Sequence, residues 1–405
     1  MILGTRLLIV FIALGMATLL RPSGLQEAQT TVKDTQSSGV SEKIALIREY
    51  LAASRTAEAL EAADQFAREQ ANNPEALLQL AGLLASHAQH ARAAALFARV
   101  NELRPRSPSV LYNLGVSYYH LGKLDQAAQA LAESADLDER PGETHYSLAL
   151  IAMERDDHEN AILELQHAVD RAPNRADYYA LLGQEFSKVG YWPGAVEAYR
   201  HAAALEPSEP THFVHLGDAL FRAQDLKGAV DAFKRAERLD PRLPDINYLI
   251  AFAYQNEGQF EQAREYYRRQ LAMAGGHVAS LVGAGSIAVE QNGFVEAEKF
   301  LQSALARDPD HVEANYQLGL LRFKEQRYDS AIEVFNRVLW LRPDHTQAEY
   351  HLYLALSRTH EDAAAEAALA QWKKLEALDR KVRSQEVAYE MARAAQWENK
   401  SSLAH

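Results

Sequence analysis

One residue type returns every 34 positions along most of the chain, and this period constrains the fold more than any other feature of the sequence. The position is alanine at nine successive steps, without an insertion: Ala93, Ala127, Ala161, Ala195, Ala229, Ala263, Ala297, Ala331 and Ala365. A fixed period of roughly 20 to 50 residues is typical of architectures in which similar units stack and each unit contacts its neighbours. The sequence therefore predicts a stacked array.

Three other columns share the period and describe one unit of that array. A pair, usually bulky then small, comes first: Leu114–Gly115, Leu148–Ala149, Leu182–Gly183, Leu216–Gly217, Ile250–Ala251, Ala284–Gly285 and Leu318–Gly319. A turn-forming column follows: Gly122, Asp156, Gly190, Gln224, Gly258 and Asn292. Proline closes most units: Pro105, Pro173, Pro207, Pro241, Pro309 and Pro343. Because small residues let helices approach, Gly and Asn tolerate tight turns and proline ends a helix, each unit is predicted to be helix, turn, helix.

These columns resemble the tetratricopeptide repeat, a helix-turn-helix unit of about 34 residues. The resemblance is clear over residues 74–345, while residues 40–73 and 346–379 keep the register with weaker motifs, so the expected solenoid spans 40–379. It implies an all-α, right-handed superhelical solenoid of about eight to ten stacked repeats, whose first helices line a concave side. It also implies that proteins or peptides bind in this concave groove.

Composition agrees with a helical fold and excludes several classes of function. Alanine, leucine and other helix-favouring residues dominate, and runs of β-branched residues are scarce. The formal charge of −13 opposes the attraction to phosphate on which nucleic-acid binding depends. The absence of cysteine excludes disulfides, thiol catalysis and thiolate zinc sites.

The N-terminus carries the features of an export signal. An apolar run of 14 residues, Leu7–Leu20, lies between Arg6 and Arg21. Such a run reaches about 21 Å as a helix, short of the ~30 Å membrane core, so a cleaved signal peptide over 1–20 is favoured over a retained anchor. Residues 21–39 lack apolar periodicity and are predicted to form a flexible linker. We therefore expect the protein to be exported, periplasmic or secreted, with membrane anchorage facing outside the cytoplasm as the alternative.

The binding residues are expected on the first helices, at the helical spacing i, i+4, i+7. This stripe is rich in aromatic residues, which are enriched where proteins meet proteins. The predicted groove residues are Tyr112, Asn113, Val116, Tyr119, Tyr146, Leu150, Asp218, Phe221, Tyr248, Phe252, Tyr316 and Phe323. The alternative for any single residue is packing between successive first helices.

Motifs for other chemistry are weak. The segment 283–288, GAGSIA, fits G-x-G-x-x-A, but Gly285 and Ala288 fall on the packing columns of the repeat and no strand is predicted before them. His212 and His215 lie one helical turn apart, but a third metal ligand is not evident. We therefore expect no catalytic residues, no cofactor and no metal, and the protein is predicted not to be an enzyme.

Two segments depart from the repeat. Residues 380–405 are expected to form a C-terminal helix and tail, in which Val382, Tyr389 and Ala392 cover the last repeat. Residues 270–278 are expected to form a weak junction, because Gln270 replaces a small residue and Gly275 replaces the closing proline.

The sequence thus predicts a non-catalytic scaffold that binds partner proteins or peptides outside the cytoplasm. Two alternatives stay open. The first is a membrane-anchored assembly factor of an envelope or secretion complex, which depends on an uncleaved N-terminus. The second is a regulatory or substrate-recruiting part of an enzyme such as a glycosyltransferase.

Overall fold

The structure, a computed structural model, describes residues 35–137 and 142–403. The predicted signal segment 1–20 and most of the predicted linker lie outside these residues. Every element in the described residues is a helix, and none of those helices is both long and apolar enough to cross a membrane.

Twenty helices follow one another in the described ranges and form ten helix-turn-helix repeats, as the period predicts. Their bounds are α1 Thr35–Ala52, α2 Thr56–Glu69, α3 Pro74–Ser86, α4 His90–Leu103, α5 Pro108–His120, α6 Leu124–Leu137, α7 Gly142–Glu154, α8 His158–Arg171, α9 Ala176–Lys188, α10 Trp192–Leu205, α11 Pro210–Arg222, α12 Leu226–Leu239, α13 Ile246–Asn256, α14 Phe260–Met273, α15 Val278–Glu290, α16 Phe294–Leu305, α17 Val312–Lys324, α18 Tyr328–Leu341, α19 Thr346–Arg358 and α20 Asp362–Leu403.

The turn inside each repeat has the left-handed backbone that the sequence predicts. The six residues of the predicted column all have positive φ, and the column extends to four more turns at the same spacing: Ser54, Ala88, Gln326 and His360. At Gly122 the φ angle is +69°, and the next amide, of Lys123, donates to the carbonyl of Tyr118 at 3.0 Å. This bond closes the end of the first helix, so the chain reverses into the second helix over three residues.

The alanine column is the most completely buried feature of the repeats. Eight of its nine members have no exposed surface, and Ala365 is 5% exposed. The glycine on the first helix makes room for the bulky residue on the second, since a Cβ atom on Gly217 would lie 2.5 Å from Cε1 of Phe233. Gly115 stands in the same relation to Leu131. These contacts confirm that the small residues of the repeat are packing positions.

The described chain divides into two compact units between Glu185 and Phe186. Unit 1 contains α1 to α8 and most of α9, and unit 2 contains α10 to α20. Within each unit, consecutive helix pairs stack on one another. Each unit is thus part of an all-α solenoid.

The junction at 270–278 differs from its sequence prediction. Gln270 is 4% exposed, and its amide donates to Oδ1 of Asp245 at 3.1 Å. The same carboxylate oxygen lies 3.2 Å from Nε2 of His277. A buried polar network therefore occupies the place where a lost contact was expected, and the two units divide elsewhere, at 185/186.

Both ends of the described chain also differ from their predicted bounds. Helix α1 begins at Thr35, inside the predicted linker. Helix α20 runs unbroken from Asp362 to Leu403, because this stretch contains neither glycine nor proline, so no boundary falls at residue 380. Val382 is 38% exposed and does not cover the last repeat as expected, while the side chains of Tyr389 and Ala392 lie outside the described part of the chain.

Three successive repeats of unit 2 begin with a histidine cap. The Nδ1 atoms of His277, His311 and His345 each accept a hydrogen bond from the backbone amide three residues later, at 3.2 Å. Nδ1 accepts only in the neutral ring, and a protonated ring would place positive charge at the positive end of the helix dipole. These three caps therefore require neutral histidine.

We expect replacement of the alanine column to destabilise the array by overpacking. Ala229→Leu should lower the free energy of unfolding by about 1–3 kcal/mol, because the added carbons have no space between the paired helices. Ala204→Leu, at an exposed position of α10, is the matched control and should leave stability nearly unchanged. Chemical denaturation measures both variants. Equal stability of the two would contradict the assignment of this column to the helix contact.

We expect acid to weaken unit 2 through its histidine caps. Burial lowers the pKa of His277 and His345 below the ordinary histidine value, although the Asp245 carboxylate opposes the shift at His277. The folded state then binds fewer protons than the unfolded state, so this stability is present above the unfolded pKa and lost as the pH falls through the folded pKa. Each lost cap should cost about 1 kcal/mol.

The measurement compares the wild type with His277→Asn/His311→Asn/His345→Asn, which keeps a side-chain acceptor at each cap without a titrating ring. Because buried carboxyls such as Glu349 titrate in both proteins, the informative quantity is the difference between them. Denaturation midpoints should fall further in the wild type between pH 7.5 and 5. Parallel pH profiles would show that the caps do not titrate in this range.

Candidate functional site

The twelve predicted groove residues lie on five first helices, α5, α7, α11, α13 and α17, and burial divides them into two groups. Five are less than a tenth exposed: Tyr112, Val116, Tyr146, Leu150 and Tyr316. Seven are half-buried and reach the surface: Asn113, Tyr119, Asp218, Phe221, Tyr248, Phe252 and Phe323. The first group packs within the array, as the alternative interpretation of the stripe holds, and the second group is available to a ligand.

In unit 1 the buried aromatic residues stack between neighbouring first helices. The ring of Tyr146 lies 4.4 Å from that of Tyr178, nearly parallel to it, and the guanidinium of Arg175 lies 4.2 Å from the centre of the Tyr178 ring. Arg175 also donates two hydrogen bonds to Asp177, at 2.9 and 2.6 Å. Burial raises the pKa of Tyr146 to about 12, so its hydroxyl stays protonated at neutral pH.

The sequence did not indicate Tyr178 or Arg175. Tyr178 lies 32 residues after Tyr146, outside the 34-residue column, so the period gives no signal for their contact. Arg175 precedes α9 and falls on no helical stripe. Asn113, which was predicted, donates its side-chain amide to the carbonyl of Ser109 at 2.7 Å, within its own helix.

Tyr119 is the most accessible aromatic residue of the predicted stripe in unit 1. Its hydroxyl donates to Oε1 of Glu154 on α7 at 3.5 Å, a long hydrogen bond. Burial of its ring raises its pKa. Tyr119 therefore presents an aromatic edge at the ends of the first helices.

In unit 2 a cluster of rings joins two successive first helices. The ring of Phe221 on α11 lies 5.2 Å from that of Phe252 on α13, and Tyr248 lies 5.8 Å from Phe252. Tyr248 also approaches His277, at 5.1 Å between ring centres, and burial raises its pKa to about 12. Phe221, Tyr248 and Phe252, the aromatic cluster of unit 2, form a half-buried apolar surface.

Asp218 lies one turn before Phe221 on the same helix. Its side chain is 32% exposed, and Oδ1 lies 3.9 Å from Nε of Arg222, longer than a hydrogen bond. Burial raises the pKa of the Asp218 carboxyl, and Arg222 lowers it to a smaller extent. Asp218 is the single carboxylate among the twelve predicted residues.

The remaining two residues lie on α17 and have different environments. Tyr316 is buried, with the rings of His345 at 4.8 Å and His351 at 5.8 Å, and burial raises its pKa. Phe323 is half-buried and meets the edge of Tyr328 at 5.4 Å. Tyr316 is thus a packing residue, whereas Phe323 extends the accessible surface.

The histidines that were considered as metal ligands have partners within the protein. Nε2 of His212 lies 3.0 Å from Oε2 of Glu206, and the ring of His215 stacks on Tyr199 at 5.3 Å. Among the residues that the structure describes, no group of three His, Asp or Glu side chains is placed to hold a metal ion. The GAGSIA segment lies on helix α15, where Gly285 packs against Leu301.

Comparison with protein families identifies the repeat. Two tetratricopeptide repeat models match residues 220–284 and 282–348, and the model described as the C-terminal domain of cilia and flagella-associated protein 70 matches residues 12–239. The chain is a tetratricopeptide repeat protein. It belongs to the family of the third model, which matches more than half of its length. Comparison with curated protein sequences finds no match.

Solved structures with detectable similarity to this tetratricopeptide repeat protein include three that match part of it. The C-terminal part of a TPR repeat-containing protein from Cytophaga hutchinsonii is 22% identical, with a TM-score of 0.49, over 60% of this chain and 99% of that chain. YrrB, described as a TPR protein with an unusual peptide-binding site, is 18% identical, with a TM-score of 0.41, over 48% and 97%. PilF from Pseudomonas aeruginosa is 20% identical, with a TM-score of 0.39, over 51% and 94%.

Proposed function

We propose that this tetratricopeptide repeat protein is a non-catalytic scaffold that binds protein or peptide segments on the exposed face of its first helices. The observation that carries the proposal is the aromatic cluster of unit 2, Phe221, Tyr248 and Phe252. These rings are only half-buried, whereas the packing columns of the same repeats are fully buried. Proteins of this family generally bind other proteins or peptides, which agrees with the proposal.

The physical basis is the energy of covering aromatic surface. Large rings bring much contact area at a small cost in side-chain entropy, and such residues dominate the binding energy of protein interfaces. In the aromatic cluster of unit 2 the rings are already fixed against one another, at 5.2 and 5.8 Å between centres. A ligand therefore pays little to order them and gains by removing them from water.

We further propose that the protein works outside the cytoplasm. The support is the apolar run Leu7–Leu20, flanked by Arg6 and Arg21. Cleavage would release a scaffold into the periplasm or the medium, while retention would produce the membrane-anchored assembly factor that is the second candidate.

The binding proposal predicts which surface captures ligands. Peptides selected by display from a random 12-residue library on the wild-type protein should lose about 30-fold or more in affinity for Phe221→Ala/Phe252→Ala, the loss typical of removing hot-spot side chains. The control is Trp340→Ala, which removes a ring that is 71% exposed on the second helix α18. Circular dichroism checks that all variants stay helical. Peptides that tolerate the double variant but need Trp340 would place binding on the other face.

The location proposal predicts the fate of the N-terminus. Expressed with its full sequence in a host with a secretory pathway, the protein should be recovered outside the cytoplasm. Its first residue should then lie beyond the apolar run, as N-terminal sequencing measures. An intact N-terminus in the membrane fraction would select the anchored alternative, and an intact chain in the cytoplasm would contradict export.

A further inference from the structure

We propose that the first-helix face of unit 2 selects segments in which a lysine or arginine is flanked by apolar residues, and that Asp218 pairs with that cation. This inference rests on the proposed binding function and specifies its ligand. It follows from the charge of the face, the environment of the Asp218 carboxylate and the rings beside it.

The first observation is the charge distribution along the face. Its positions on α11, α13, α15, α17 and α19 are the i, i+4, i+7 stripe of each helix. They are Val214, Asp218, Phe221, Tyr248, Phe252, Gln255, Val282, Ser286, Val289, Tyr316, Leu320, Phe323, Tyr350, Leu354 and Ser357. Asp218 is the single charged side chain among them, so it supplies the one strong electrostatic preference of this face.

The second observation is that the Asp218 carboxylate has an incomplete set of partners. Within the described residues it has no hydrogen bond, and its ion pair with Arg222 spans 3.9 Å. The guanidinium of Arg222 is also drawn toward the ring of Trp192, at 5.8 Å. A carboxylate that is two-thirds buried and only distantly paired gains from a cation that donates a hydrogen bond to it.

The third observation is the aromatic surface next to this carboxylate. Phe221 follows Asp218 by three residues on α11, which places both on one side of the helix. The rings of Phe221 and Phe252 lie 5.2 Å apart. Their faces attract a cation and accept the apolar stem of a lysine or arginine, so the charged head and the stem both find complementary surface.

The same arrangement disfavours other ligands. An acidic segment would bring like charge to a carboxylate that is already partly removed from water. A segment without charge would cover Asp218 and leave it unpaired. The chain's formal charge of −13 adds attraction for basic partners at long range and increases their rate of association.

The experiment is a double-mutant cycle on display-selected peptides. A random 12-residue library is selected on the wild type, on Asp218→Asn and on Asp231→Asn, which removes the same charge from an exposed site on α12. Peptides from the wild type and from Asp231→Asn should be enriched in lysine or arginine between apolar residues. Peptides selected on Asp218→Asn should lose that enrichment.

The affinities of one selected peptide then test the pairing itself. Asp218→Asn should weaken binding about tenfold, and replacing the basic residue of the peptide by methionine should weaken it to a similar degree. The two changes together should cost little more than either alone. Additive losses, or equal binding to the wild type and Asp218→Asn, would overturn the role of Asp218.

The outcomes also separate this inference from the function on which it rests. Selected peptides that need Phe221 and Phe252 but carry no basic residue would overturn the cation preference and leave groove binding intact. A selection that returns no peptide dependent on these two rings would overturn both.

Discussion

Close approach of the two helices of each repeat is the constraint on which the rest of this structure depends. The alanine column lies where the helices meet, and its members from Ala93 to Ala331 have no exposed surface. Facing it, a glycine on the first helix leaves space for one bulky side chain of the second, as Gly217 does for Phe233. Since a helix pair of this size cannot bury its apolar surface alone, this contact also fixes the shape that each pair offers to the next.

This division of labour explains where binding surface is available. Positions in the packing columns are occupied, so they cannot vary in chemistry without loss of the stack. The outward stripe of the first helices is free of that requirement, and there the chain places half-buried rings and one carboxylate, Asp218. The second-helix surface of unit 2 instead exposes scattered apolar residues, such as Val295 and Trp340, without a comparable ring cluster on neighbouring helices.

The sequence predicted the parts of the fold that repeat, because a residue with one role in every unit leaves a periodic signal. The turns, the alanine column and the glycine positions all carried such a signal. Contacts without the period were missed: Tyr178 meets Tyr146 across 32 residues, and the buried amide of Gln270 binds Asp245. Helical spacing placed Tyr112 and Phe252 on one stripe, but it could not separate them, because burial depends on the neighbouring repeat.

The central claim, that ligands bind on the first-helix face, is tested most directly by a crystal structure of the protein with a display-selected peptide bound. The account predicts peptide atoms in contact with Phe221, Tyr248 and Phe252, lying across α11 and α13. A peptide bound against the second helices, near Trp340 or Val295, with the aromatic cluster uncovered, would contradict it.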